Sequence, residues 1–333
     1  MRPKTAQRAA WLSLVSGGLY AGGSWFAARA LGDRLLSPEG LAPATERREG
    51  LIAALRETGA FVADFRHSGS ARDPVELAAV FASPGEPRTR PTILFLHGKG
   101  GNTAEWRPDA LRALRLGYNA LLPDLRGHDP SRGTLVTYGF LEKEDLSNAV
   151  SAARERYGLD SGRLGLHGCS AGSTVALEFA ADNAAVRALW IESPYAEPRA
   201  MARHYLSLAT GLPSWLLGLS ARWAVRHAIA RVRRELALGR TERGLEGVDP
   251  RAAVARVRAG VCLVYGEEDE LVPPRFAERL AQALPPSSVV WRAARAGHCH
   301  HENEPARVAA QEYEERWKEF FRTFLPVHEL ERS

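Results

Sequence analysis

Along most of the chain, short apolar runs alternate with longer stretches in which apolar residues recur every three or four positions. "PTILFLHG" (91–98) is almost purely apolar, the pattern of a parallel strand covered on both faces, and "VELAAVFASP" (75–84) reads as another strand. "GYNALLPDLRGH" (117–128) predicts a strand running into a loop, and "FLEKEDLSNAVSAARERYG" (140–158) an amphipathic helix stopped by glycine. "GRLGLHG" follows as a strand, 171–182 as a helix and "VRALWIESP" as a strand. "GVCLVYGEED" and "SSVVWRAARAGH" supply further strands, and 303–325 a closing helix. Such alternation predicts a parallel sheet with helices on both faces and ligands at the carboxyl ends of the strands.

Residues 195–248 interrupt the alternation. Trp215, Leu216, Leu219 and Trp223 recur at near-helical spacing, and Val225, Ile229, Val232 and Leu236 make an i, i+4, i+7, i+11 stripe. The segment reads as a helical cap laid over the active edge of the sheet. Between 199 and 258 twelve arginines stand against Glu235, Glu242, Glu246 and Asp249, a net of +8 in a chain whose total is +5. A solvated helix face in an arginine-rich chain explains this excess. Attraction to anionic lipid is the sharper alternative.

Only four of the 44 basic residues are lysine (Lys4, Lys99, Lys143 and Lys318), so the basicity reflects arginine usage rather than a nucleic-acid footprint. With no zinc spacing of Cys and His and no RNA-recognition signature, no nucleic-acid partner is expected. Cys169, Cys262 and Cys299 are too few and too scattered for a disulfide framework, and nothing in them requires an oxidising compartment. The oligomeric state is not legible.

The N-terminus carries "AAWLSLVSGGLYAGGSWFAA" (9–28), twenty uncharged residues preceded by Arg2, Lys4 and Arg8. That length spans a bilayer, and the upstream charges favour an N-in orientation, so membrane association through residues 9–28 is expected. A cleaved signal with Ala28-Arg29-Ala30 as its site is the rival reading, and a soluble amphipathic or buried segment a third. Gly18-x-x-x-Gly22 would suit close helix packing.

"LHGCSAGST" (166–174) sets Ser170 between Gly168 and Gly172, after a strand and before a helix. That is the context of a nucleophile elbow, which exposes the serine hydroxyl on a strained turn. The hydroxyl is a weak nucleophile at neutral pH and needs a base. His298, after Ala296-Gly297 beyond the last strand, is the candidate, with His300 and His301 as neighbours. Asp269, three residues past Gly266, is the carboxylate expected to orient it, with Glu192 as runner-up. A metal held by His298, His300, His301 and Glu302 has no helical spacing or second cluster behind it. The oxyanion requires two amide donors. The backbone N–H groups of Ala171 and Lys99 are the candidates, the latter in the loop His97-Gly98-Lys99-Gly100-Gly101-Asn102. His97, Gly98, Gly100 and Gly101 support that loop, with His97 expected to pack beneath it. Cys169 reads as packing of the elbow.

Four segments in this order, "LFLHGKGGN", "PDLRGHDPS", "GLHGCSAGST" and "VYGEEDELVPP" leading to "AGH", resemble the α/β-hydrolase superfamily over roughly residues 60–325. The likeness is nearest to membrane-anchored or secreted bacterial serine hydrolases with an "HGxGGN" loop and a segment like "ESPY" (192–195). It departs from them after Arg126-Gly127-His128, where Asp129-Pro130 replaces a common glycine. The resemblance implies an ester, thioester or amide hydrolase acting through an acyl-enzyme.

The fold class expected is therefore α/β: a mostly parallel, doubly wound α/β-hydrolase sheet with a helical cap inserted after the sixth strand. An N-terminal anchor or signal (1–33), a core in two parts (34–194 and 249–327), the basic cap (195–248) and a tail (328–333) complete it. The expected activity is cleavage of a carboxylic ester of a small-molecule or lipid-like acyl substrate, with no metal or organic cofactor. A thioesterase or peptidase on the same triad, and a non-catalytic binding protein, are the alternatives.

Overall fold

In the computed structural model, which describes residues 20, 22–37 and 45–327, the apolar runs form a single eight-stranded sheet. Its strands are β1 (Phe61–Ser68), β2 (Glu76–Ser83), β3 (Thr92–Leu96), β4 (Asn119–Pro123), β5 (Leu164–Cys169), β6 (Val186–Glu192), β7 (Gly260–Gly266) and β8 (Val289–Ala293). They lie in the order β1-β2-β4-β3-β5-β6-β7-β8. β2 pairs antiparallel with β1 and β4, and every later pairing is parallel.

Alternation along the inner strands feeds two cores. Leu94, Leu96, Leu166, Ile191 and Leu263 face one side, with buried residues of α4 (Glu142–Tyr157) and α5 (Ala171–Asp182). Ile93, Phe95, Trp190, Cys262 and Val264 face the other, with α2 (Thr45–Glu57), α3 (Arg107–Arg115) and α11 (Ala310–Phe324). Each such aliphatic or aromatic side chain, wholly removed from water, contributes about 1.5–3 kcal/mol. Because both faces are covered, the inner strands read as continuous apolar runs.

β1 escapes the pattern reading because it is an edge strand, with only Phe65 and His67 buried among polar and half-exposed neighbours. Its presence makes 186–192 the sixth strand, after which the insertion begins. The closing helix is broken in two, α10 (Pro305–Val308) and α11, where Ala309 leaves helical geometry with φ −125° and ψ 47°.

A second compact unit takes residues 198–240 together with the helix over 22–36, here α1. It contains α6 (Pro198–Thr210) and α7 (Gly218–Glu235). The face that α7 buries is Ala221, Ala224, Ala228 and Val232, whereas Val225, Ile229 and Leu236 of the expected stripe are only half-buried. Small residues make that seam because α1 comes close: a Cβ on Gly32 would lie 2.9 Å from the Ala224 carbonyl oxygen. Asp33 then accepts from His227 Nε2 (2.9 Å) and Arg231 (3.3 Å), and the His227 hydrogen bond lowers its pKa. Trp215, one of the residues at near-helical spacing, is 76% exposed.

Among the described residues no helix is long and apolar enough to cross a membrane. Of the uncharged run 9–28, residues 9–19 and 21 lie outside the described residues, as does the tail 328–333.

Candidate active site

β3 leads to β4 on one side of the sheet while β5 lies on its other side, so the crevice between β3 and β5 is the topological switch point. Leu96 stands opposite Gly168 in that pairing. The chain then turns into α5 so tightly that neither flanking glycine tolerates a side chain. A Cβ on Gly168 would lie 2.6 Å from the Gly172 carbonyl oxygen, and one on Gly172 would collide with the carbonyls of Leu96 and His97. Ser170, caught between them, has φ 52° and ψ −117°. A non-glycine residue held there costs about 1–3 kcal/mol, which the surroundings must supply.

Ser173 and Glu192 hold the turn. The Ser170 amide donates to the Glu192 carbonyl at 2.9 Å. The buried Ser173 hydroxyl lies 2.8 Å from the Gly168 carbonyl and 2.7 Å from that of Glu192, and accepts from the Glu192 amide at 3.1 Å. Ser173 was not singled out from sequence; its place three residues after Ser170, in the first turn of the helix, was the available signal. Ala171 opens α5, where the first amides have no partner within the helix and the dipole favours negative charge.

Asp269 follows β7 and His298 follows β8, and the structure brings them together. His298 Nδ1 lies 2.8 Å from Asp269 Oδ2, while Asp269 Oδ1 accepts from the Val272 amide at 2.7 Å. With both residues buried, this bond puts the imidazole proton on Nδ1 and leaves Nε2 as the basic nitrogen. A disulfide between Cys169 and Cys299, Cα atoms 6.2 Å apart, makes the neighbours of Ser170 and His298 adjacent. The cysteines were expected to be too few and too scattered for a disulfide framework and Cys169 to pack the elbow; the structure instead joins Cys169 to Cys299. Two cysteines 130 residues apart carry no spacing signal, because only the tertiary structure places them within reach of each other.

Glu192, the runner-up acid, is engaged on one face of the sheet instead. Its carboxylate accepts from His167 Nε2 (2.9 Å), Trp190 Nε1 (2.8 Å) and the Tyr313 hydroxyl. Burial alone would raise its pKa, but these donors outweigh it and hold the carboxyl below its ordinary range. The Trp317 indole donates to His167 Nδ1 at 3.2 Å, which leaves the His167 proton on Nε2, facing Glu192. His300 pairs with Glu105 at 3.1 Å, and the His301 ring centre lies 5.1 Å from that of His298.

The glycine-rich loop lies against the elbow. A Cβ on Gly98 would stand 3.3 Å from the Ser170 Cβ. Gly101 N–H closes the turn onto the Gly98 carbonyl at 3.1 Å, with Lys99 and Gly100 between them and Gly100 at φ +80°. Beneath it, residues 124–128 act as a rack. Asp124 accepts from the Thr103 amide at 2.9 Å and pairs with Arg48. The Leu125 amide donates to His97 Nε2 at 3.0 Å, and His97 Nδ1 donates to the Gly98 carbonyl at 2.8 Å. The Gly100 amide donates to His128 Nε2 at 3.0 Å, and His128 Nδ1 donates to the Arg126 carbonyl at 2.9 Å. Arg126, wholly buried, grips Asp145 through Nε and Nη2 (2.6 and 2.8 Å) and Asp73 through Nη1 (2.6 Å). The Asp129–Pro130 bond that follows is cis. The supporting roles of Asp124, Arg126 and His128 went unread, although these residues lie in the "PDLRGH" segment.

Strained serine, imidazole–carboxylate pair and glycine-rich loop all sit at the carboxyl ends of a doubly wound sheet. In sequence, residues 93–311 match the model of the alpha/beta hydrolase family, and the chain belongs to that family. The uncharacterized protein YqkD of Bacillus subtilis (strain 168) is 28% identical over 191 residues, 57% of this chain and 58% of that one. The chain thus matches rather more than half the length of that curated relative. In fold, the Pyrococcus furiosus esterase Pf2001 is similar at a TM-score of 0.64 and 19% identity, covering 87% of this chain and 98% of that one. The Pyrococcus horikoshii acylaminoacyl peptidase is similar at 0.58 and 17% identity, covering 82% of this chain and 43% of that one.

Both rack histidines must be neutral at Nε2 to accept an amide proton. Burial lowers both from the ordinary value of 6.5, with a smaller contribution from the His128 ring for His97 and from Lys99 for His128. The unfolded chain therefore binds more protons as pH falls through 6.5, so the stability these histidines contribute is present above that pH and lost below it. His128→Gln keeps an acceptor that does not titrate. Between about pH 7.5 and pH 5.5 its melting temperature should fall less than that of the wild type. His128→Ala, which orphans the Gly100 amide, should lose about 1–3 kcal/mol in urea unfolding at neutral pH.

Proposed function

We propose that the protein is a serine hydrolase that cleaves carboxylic esters through an acyl-enzyme. The observation that carries this reading is the His298–Asp269 hydrogen bond beside a serine held at positive φ in the elbow. Ser170 Oγ attacks the acyl carbonyl as His298 Nε2 takes its proton, and Asp269 stabilises the imidazolium that forms. The amides of Ala171 and Lys99 hold the oxyanion; each such donor is worth about 3–4 kcal/mol in the transition state. His298 passes the proton to the departing alkoxide, then draws one from water as the hydroxide attacks the acyl carbonyl, and returns it to Ser170 Oγ as the acid leaves.

The substrate class is a small-molecule or lipid-like acyl ester. An alkoxide is a far better leaving group than an amide anion, and an ester loses less resonance on attack than an amide, so ester cleavage asks less of the site. Across p-nitrophenyl esters, acyl thioesters and aminoacyl anilides, the esters should give the highest kcat/KM. A higher value on anilides would replace this reading with a peptidase.

A fluorophosphonate probe should label the intact protein and leave Ser170→Ala unlabelled; equal labelling of the two would overturn the mechanism. The two candidate acids separate in the same assay. Asp269→Asn should lower kcat by about 10⁴-fold, because it inverts the tautomer of His298. Glu192→Gln should change kcat by less than about threefold while costing about 1–3 kcal/mol of stability.

The N-terminal segment is proposed as a retained anchor in the N-in orientation, which places the hydrolase on the far side of the membrane. Two observations support it. A disulfide persists in oxidising compartments. Cleavage after Ala30 would cut α1 through its packed length, removing Ala27 from the cluster of Leu206, Leu217 and Ala221. On cell fractionation, the full-length chain should stay in a salt-washed membrane pellet and leave it only with detergent. Recovery in the salt wash would overturn the anchor.

A further inference from the structure

We infer that the Cys169–Cys299 cystine is a positioning device for catalysis, holding the His298 loop on the Ser170 turn and keeping a thiol proton off His298 Nε2. The inference rests on the serine-hydrolase reading above, because it concerns the path of the Ser170 proton. Cys169 immediately precedes Ser170, and Cys299 immediately follows His298. Their loops leave β5 and β8, between which β6 and β7 intervene, so no strand pairing sets one loop against the other. The cystine makes that connection covalently. Both half-cystines are almost fully buried.

The sulfur of Cys299 lies 3.9 Å from His298 Nε2 and 4.0 Å from the Glu192 carbonyl oxygen. Nε2 is the nitrogen that must accept the proton of Ser170. In the disulfide this sulfur carries no hydrogen and cannot donate. A dithiol reductant breaks the S–S bond, leaves one proton on each protein sulfur and closes on itself as a cyclic disulfide. The Cys299 thiol can then hydrogen-bond to Nε2 or transfer its proton there, giving a thiolate–imidazolium pair. The base is then occupied before substrate arrives. Loss of the tether also frees the loop, and a shift of about 1 Å in a catalytic group can cost about 10²-fold in rate.

The test compares kcat and KM on a short p-nitrophenyl ester, and the rate of fluorophosphonate labelling at Ser170, across the oxidised wild type and two variants. Cys169→Ala/Cys299→Ala removes the tether and should lower kcat about tenfold with KM changed less than twofold. Cys169→Ala alone leaves the thiol beside Nε2 and should fall below the double variant. Wild type reduced in mild denaturant, returned to buffer and then reoxidised should lose and regain kcat, which covers the case in which a variant does not fold. A merely stabilising cystine would lower the melting temperature and leave kcat of the folded variants unchanged, and that result would overturn the inference. Free thiols at Cys169 and Cys299 in a non-reducing peptide map of membrane-fraction protein would overturn it as well. Failure of oxidised wild type to label at Ser170 would instead bring down the serine-hydrolase reading, and this inference with it.

Discussion

The close approach of α5 to the end of β3 is the constraint on which the site depends. Gly168 and Gly172 let two backbones meet at distances that leave no room for a Cβ, and Ser170 between them is left at positive φ. The strain is sustained by hydrogen bonds from the Ser170 amide and Ser173 hydroxyl to the backbone of two strands, β5 and β6. Sheet order supplies the rest: parallel pairing of β3 with β5 lays the glycine-rich loop beside the elbow. The serine turn and the glycine-rich loop are thus two consequences of one junction.

Around that junction the protein buries many polar side chains, and most of them are answered by a partner. Residues 124–128 alternate side-chain and backbone bonds that pin the loop above them, with His97 and His128 serving as neutral acceptors rather than as charges. Arg126 is held between two carboxylates, and Glu192 between three donors. Leaving one partner of such a buried pair alone costs about 3–5 kcal/mol, so these groups hold the loops to a single arrangement. A sequence scan for reactive residues passes over them, since their work is to hold backbone in place.

Much of the fold was legible because burial on both faces writes itself into a strand as an unbroken apolar run. Segment 91–98 reads in this way and became β3, and the short apolar stretches within 163–168 and 260–269, read as strands, became β5 and β7. Helix 171–182 was read to the residue, its start set by the elbow. Failures fell where burial is partial or packing is unusual. β1 lies at an edge, and α7 buries alanines while its larger side chains stay half-exposed.

By itself the sequence determined the order of strands and helices and the residue types at the strand ends, because local hydrophobic period and turn chemistry act over a few residues. Ser170, Asp269 and His298 could be named from that order. Tertiary structure alone decided which groups meet: that Asp269 rather than Glu192 faces His298, that Glu192 belongs to Tyr313, Trp190 and His167, and that Cys169 joins Cys299. Those pairings join residues up to 130 positions apart. Their partners are chosen by strand order and by the need to satisfy each polar group removed from water, and neither is written in local spacing.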